Sequence, residues 1–441
     1  MKLNWKKCIA STLLVFLATG LAACTADANE SASTGAKGNQ TPVEISYATF
    51  MVGSHVSAEA EKQIIDEFNE AYEGKIKVVI EELPSDEAYV NKMKALAASK
   101  ALPDVAIGKQ GIRELAIKNG QAVDLMPLLE ADPEWKEYIG AGAISYNQAD
   151  DGKLYSIANA KQLIGYFYNK DMFETAGIQP AKTWDEFMAN NEKLKAAGFT
   201  PLAMMTGENA WTTNLWLAAM IGTDGEAGHS FMNTTHPESY ENASMIQALS
   251  MIQTCLQEYT TSDAVGAMYA NAANNFLQEK TALIANGPWM VPDFSDTSKA
   301  KAGLADRVGV ALYPNDGIVA QYEVGYILCS NGKSEEEQAA ALEFLKFKTG
   351  KRAQEIFLDK SGALPLTANV EISETYKTAN PLVAELITIS GDAKYGFENI
   401  DNTAFSSVVS EFSLNYPDLA YGEITPEEMA AKLTAAVAKS K

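Results

Sequence analysis

The sequence predicts an α/β protein built around a parallel-type sheet. Two observations predict it. From Val43 onward, short β-rich runs alternate with amphipathic helical stretches, and glycines close several of those helices. A third observation bounds the size: 441 residues, 47% of them hydrophobic and 21% charged, suffice for two or three domains with cores of their own. The same fractions exclude a disordered, collagen-like or coiled-coil chain.

The elements follow in order. Val43-Glu44-Ile45-Ser46-Tyr47 alternates like a strand. Ile64, Ile65, Phe68 and Tyr72 then share one helical face, stopped by Gly74. Residues 75–80 read as a second strand, and Tyr89, Met93, Leu96 and Ala97 mark a second helix. Residues 104–108 form a third strand, followed by a helix over 113–119 closed by Gly120. Strand–helix–strand repetition on this scale is the signature of parallel pairing. Later helices are announced by S/T-x-x-E capping boxes at Thr183, Ser334 and Thr425, the last with Pro426 in its first turn.

Charge and cysteines narrow the function classes. Against 35 Lys+Arg stand 57 Asp+Glu, a formal net charge of −22. Such a field repels phosphate backbones and anionic lipid, which argues against nucleic-acid partners and basic membrane-binding helices. Three scattered histidines offer no metal-ligand spacing. Gly332-Lys333-Ser334 ends like a phosphate loop, but Ile327 stands where the first glycine is needed. Cys255 and Cys329 sit in apolar surroundings and read as buried thiols rather than a disulfide. No cofactor is expected.

The chain opens with Lys2, Lys6 and Lys7 ahead of an apolar run containing Leu13-Leu14-Val15-Phe16-Leu17, a secretory signal too short to span a bilayer. It ends in Leu21-Ala22-Ala23-Cys24, which resembles the bacterial lipobox. That resemblance implies a signal peptide over 1–23 and acylation of Cys24, anchoring the protein at the outer side of the cell membrane. The polar stretch through residue 42, rich in Ala, Ser, Thr, Gly and Asn, reads as a flexible linker.

Seven blocks from 102 onward carry a wider resemblance. They are Leu102-Pro103-Asp104-Val105, Asp151-Gly152-Lys153-Leu154-Tyr155, Tyr168-Asn169-Lys170-Asp171-Met172-Phe173, Thr183-Trp184-Asp185-Glu186-Phe187, Asn286-Gly287-Pro288-Trp289, residues 340–346 and Gly362-Ala363-Leu364-Pro365. In this order and spacing the chain resembles the family 1 extracellular solute-binding proteins, the maltose-binding-protein-like sugar receptors of ABC importers. The resemblance implies a two-lobed periplasmic-binding-protein-like fold of type II, two α/β lobes joined by a hinge that the chain crosses several times. It puts lobe 1 at 43–157 plus 315–360 and lobe 2 at 158–313 plus 361–441, with crossings near Ala158, Pro314 and Gly362.

By the same resemblance the protein is a monomeric receptor. It captures a carbohydrate between its lobes and passes it to a permease pair powered by a cytoplasmic ATPase. Sugars present apolar C–H faces and a rim of hydroxyls, so their sites combine aromatic plates with carboxylates, amides and an occasional cation. Trp289 is the expected plate, with Trp211 and Glu208 from the loop that begins at Gly207. In lobe 1 the loop Phe50 to His55 and the pair Lys109-Gln110 occupy ligand-contacting positions. Gln162, Glu323, Tyr395 and Asp401 complete the set. Gly108 stands where maltose-binding members carry an aromatic residue, which argues against a maltodextrin ligand. The alternatives are a non-sugar solute (a peptide or polyol phosphate) and an anchored glycosidase, for which a pair of carboxylates would suffice.

Overall fold

The computed structural model describes residues 41–149, 151–330 and 332–439. The expected signal peptide, Cys24 and the linker up to residue 40 lie outside the described residues.

Among the described residues, ten strands form two sheets. β1 (Val43–Thr49), β2 (Ile76–Glu82), β3 (Val105–Ile107) and β9 (Tyr326–Leu328) make a four-stranded sheet of order β2-β1-β3-β9. Here β1 runs parallel to β2 and β3, while β9 joins antiparallel. The second sheet holds β4 (Lys161–Asn169), β5 (Thr200–Leu202), β6 (Thr281–Asn286), β8 (Gly317–Tyr322) and β10 (Tyr395–Phe397) in the order β10-β8-β4-β6-β5, with β7 (Val308–Ala311) also on β4. The parallel expectation holds for β1 to β3. In the larger sheet β4 runs antiparallel to β6, β7 and β8, so that sheet is mixed.

Each sheet has its own core. Ile45, Tyr47, Val105, Ile327 and Cys329 share a cluster with Phe344 and Leu345 of the helix Glu335–Thr349. Around the larger sheet, alternate residues divide between its two faces, as the two-residue period of a strand requires. Ile164 and Tyr166 pack on one side with Leu283 and Val319, and Leu163 and Phe167 on the other with Ile284 and Ile318. Cys255 and Cys329 fall in different clusters, both as free thiols that burial pushes up to about 12.

The local signals are realised in detail. Ser334 and Thr425 each accept the backbone N–H of the glutamate three residues on, and those glutamates return the bond to the cap. Thr183 caps its helix likewise, though Glu186 reaches back to Lys182 N instead.

Three segments join the sheets. Residues 157–160 and 323–326 run side by side, bonded through Ile157 N to Tyr326 O (2.9 Å), Tyr326 N to Ile157 O (2.8 Å) and Glu323 N to Ala160 O (3.0 Å). The third passes Gly362, and Lys161 N donates to Leu364 O (3.0 Å). Gly325 is indispensable here. Its φ is +72°, and a Cβ would stand 1.8 Å from Ile157 O.

One expected crossing is displaced. Pro314 lies in a hairpin between β7 and β8, where Asn315 and Asp316 take φ of +62° and +59°, the left-handed geometry that tight hairpins demand. β8 therefore belongs to the larger sheet, and the chain crosses back at 323–325, about ten residues later.

Candidate functional site

The site is built where strand ends of both sheets converge. β1 ends in buried Thr49, whose hydroxyl accepts Met51 N (3.1 Å) and turns the chain into the 50–55 loop. There Phe50 packs edge-on to His55 (centroids 5.2 Å apart) and against Tyr89 (5.4 Å). Tyr89 in turn pins the end of β3, its hydroxyl accepting Ile107 N (2.6 Å). Lys109, two residues on, places its ammonium 5.0 Å from the Phe50 centroid and 2.9 Å from Asp86 Oδ2.

Burial acts against this ammonium, but Asp86, Glu323 and Asp401 offset it, and its pKa is raised. Beside it, His55 is lowered to about 4 by burial and by Lys109, so it is neutral at physiological pH. At Gly108 an added Cβ would come within 3.1–3.2 Å of side-chain atoms of Arg113, Ile327 and Val324, which would have to give by a few tenths of an ångström.

From the larger sheet, the chain after β5 carries three consecutive non-glycine residues in the left-handed region: Glu208, Asn209 and Ala210, with φ of +47°, +59° and +57°. Such conformations are strained and persist only where neighbouring contacts enforce them. Here Glu208 accepts Tyr269 N (2.7 Å), Asn209 O accepts Asn214 Nδ2 (3.0 Å), and the Asn209 amide donates to Gln110 Oε1 (2.8 Å). Burial raises the pKa of Glu208, and the bond from Tyr269 N opposes it.

The turn delivers Trp211 to an aromatic group. Its ring centroid lies 4.9 Å from Tyr269 and 6.5 Å from Trp289. Trp289 folds back over Gly287, where a Cβ would sit 2.2 Å from the indole, so the block Asn286-Gly287-Pro288-Trp289 can take this shape only with glycine second. Asn286 steadies both partners, donating to Tyr269 Oη (3.1 Å) and accepting Gly287 N (2.9 Å).

A line of amides crosses the sheet beside the hinge. Asn399 N donates to Gln321 Oε1 (2.7 Å), Gln321 Nε2 to Gln162 Oε1 (2.5 Å), and Gln162 Nε2 to the Glu323 carboxylate. Burial raises the pKa of Glu323, while Lys109 pulls it down. Asp401 is also raised, to about 7, by burial, again opposed by Lys109. Its Oδ1 and Asp86 Oδ1 are buried without a hydrogen-bond partner.

The structure thus gathers Phe50, His55, Lys109, Gln110, Gln162, Glu208, Trp211, Trp289, Glu323 and Asp401 around one inter-lobe region. Tyr395 is not among them. β10 runs parallel to β8 with Tyr395 opposite Gly317, so Tyr395 lies at the end remote from Gln321 and Glu323, against His229 and Lys394. Glu398, three residues on, is at the right end and accepts from Tyr146 Oη (2.6 Å). Asp86, Tyr146, Asn209, Tyr269 and Glu398 were not singled out by the sequence. Only Asn209 carried a signal, as the polar residue of a loop already marked for Glu208 and Trp211.

Among the described residues, no group of His, Cys, Asp and Glu is arranged to hold a metal ion, and no helix is long and apolar enough to cross a membrane. Aromatic faces, amides and carboxylates in one place can hold a polyhydroxylated guest by stacking and hydrogen bonds.

Comparison with known proteins agrees with this architecture. The multiple sugar-binding protein of Streptococcus mutans is 26% identical over 222 residues, which is 48% of this chain and 51% of that protein, so the chain spans about half the length of that relative. Among solved structures, a chitin oligosaccharide binding protein superposes with a TM-score of 0.79 at 20% identity, covering 90% of this chain and 98% of that one. A Streptococcus pneumoniae solute-binding protein, solved with the blood group A-trisaccharide, gives 0.75 at 21% identity, covering 90% and 100%. The structural likenesses establish the two-lobed type II fold. Residues 63–384 match the bacterial extracellular solute-binding protein family, and the chain belongs to it.

Proposed function

We propose that the protein is the substrate-binding lipoprotein of an ABC importer. It captures a mono- or oligosaccharide between its lobes and delivers it to membrane permease subunits driven by a cytoplasmic ATPase. Cys24 carries the lipid anchor, and the receptor acts as a monomer on the outer side of the membrane. Lobe 1 comprises 43–157 with 326–360, lobe 2 the remainder from 158, the second boundary being moved to the crossing beside Gly325. The observation that carries the reading is the aromatic group Trp211, Tyr269 and Trp289, set across the inter-lobe region from Lys109, Gln110 and their carboxylates.

The mechanism is a population shift. A ligand that touches both lobes adds free energy to the closed arrangement alone, and the closed form is what the transporter reads. No covalent bond changes. Relatives named for sugars, and a neighbour solved with a trisaccharide, support a carbohydrate ligand over a peptide. Isothermal calorimetry against a panel of mono- and oligosaccharides tests the reading. Saturable heat with at least one saccharide, and no new reducing ends after prolonged incubation, is the expected result. Flat heats throughout would refute it, and released reducing ends would favour a glycosidase.

A further inference from the structure

Among the described residues, the ammonium of Lys109 is the cation that Asp86, Glu208, Glu323 and Asp401 all face. A lysine in a binding region ordinarily suggests an anionic ligand group. Here it is already engaged. Asp86 Oδ2 lies 2.9 Å from its Nζ, and Glu323 and Asp401 stabilise its charge from the other side. Glu208 faces Asp86, Glu87 and the same Lys109. His55 contributes no charge at neutral pH, and Lys299, the other ammonium near it, is bound to Asp293 at 2.7 Å. Four carboxyl groups, those of Asp86, Glu208, Glu323 and Asp401, therefore answer one ammonium. Two carboxyl oxygens among them, Asp86 Oδ1 and Asp401 Oδ1, are buried without a hydrogen-bond partner, so they can bond a hydroxyl-bearing guest, while the ion-paired Asp86 occupies Lys109 and repels an anionic one.

From this juxtaposition we infer that the site selects by charge. It admits uncharged saccharides and excludes phosphorylated or carboxylated ones, and Asp86 is the specificity residue that withholds Lys109 from an anion. The inference rests on the carbohydrate reading above and sharpens it, because a polyol phosphate was the principal non-sugar alternative. The physical cause is like-charge repulsion in a region where burial weakens solvent screening.

Calorimetry on the full folded chain with two sets of probes tests it. The uncharged set is cellobiose, xylobiose, N,N′-diacetylchitobiose and raffinose. The anionic set is glucose 6-phosphate, digalacturonate and glycerol 3-phosphate. The expected result is binding within the first set, with every anion at least about a hundredfold weaker, the size that like-charge juxtaposition produces. Asp86→Asn is expected to narrow that gap about tenfold by releasing Lys109, and Lys109→Met in the same background to restore it. An anion that binds the wild type within tenfold of the best saccharide overturns the inference even if saccharides also bind. An Asp86→Asn protein with an unchanged gap overturns the role of Asp86. Should neither set bind, the carbohydrate reading fails and the charge selection that rests on it falls too.

Discussion

The side-chain amide of Asn209 donates to Gln110 Oε1 at 2.8 Å, a bond that joins the end of β3 in one sheet to the loop after β5 in the other. Both residues hold left-handed backbone, φ +59° and +50°. Two strained residues therefore meet across the two sheets. The hydroxyl of Tyr146, from the helix Pro133–Asn147, makes a second link to Glu398 and Asn402.

That second link gives a prediction about closure. Tyr146→Phe retains the ring packed at 5.6 Å on Tyr322 but removes a donor to Glu398 (2.6 Å) and an acceptor for Asn402 (3.0 Å). A net hydrogen bond contributes about 0.5–1.5 kcal/mol, so ligand affinity should fall about two- to tenfold with little loss of thermal stability. Calorimetry beside a melting curve checks this. An equal loss in both would assign the hydroxyl to folding instead.

Trp289 and Gly287 should behave as one unit. Trp289→Ala removes a stacking face and is expected to weaken saccharide binding about tenfold or more. Gly287→Ala leaves the indole in the chain, yet its Cβ would stand 2.2 Å from the ring and displace it. Both variants should lose affinity by titration, and the glycine variant should also shift tryptophan emission. Unaltered binding in Gly287→Ala would remove Trp289 from the site.

Asp401 predicts a pH dependence. Its pKa is raised to about 7 in the fold, chiefly by burial, so the native state holds a proton that the unfolded chain releases near pH 4. Native protein binds more protons between those values, and stability therefore declines as pH rises from about 4 to about 7 and is level above. Asp401→Asn should flatten that decline and melt higher than wild type at pH 8. Identical melting at pH 8 would contradict the assignment.

A buried charge pair should report on the smaller sheet alone. Lys348 and Glu61 are almost wholly buried and lie 2.5 Å apart, with the ammonium 4.9 Å from the Tyr47 ring and 5.0 Å from that of Tyr326. Lys348→Met strands a buried carboxylate and should cost about 3–5 kcal/mol, whereas adding Glu61→Leu should recover much of it. Chemical denaturation of the three proteins measures both steps.

Legibility in the sequence followed the range of the interactions. β1, the first three helices and the capping boxes at Ser334 and Thr425 depend on neighbours within a few residues, and each was readable. Trp289 was named through the family resemblance of its four-residue block, whereas its contact with Trp211 is long-range. Tyr395 was misplaced because the direction of a three-residue strand is set by its partner β8, which no local pattern encodes. The crossing expected at Pro314 overlooked Asn315-Asp316-Gly317, a hairpin signal that was present. Asp86, Tyr146 and Glu398 escaped notice because each acquires its role from a residue far along the chain.

Small-angle X-ray scattering, with and without the saccharide that calorimetry identifies, tests the clamping of a guest between two lobes most directly. The radius of gyration should fall on saturation, and Tyr146→Phe should need more ligand for the same decrease. A scattering profile that does not change while calorimetry records full occupancy would contradict capture by closure.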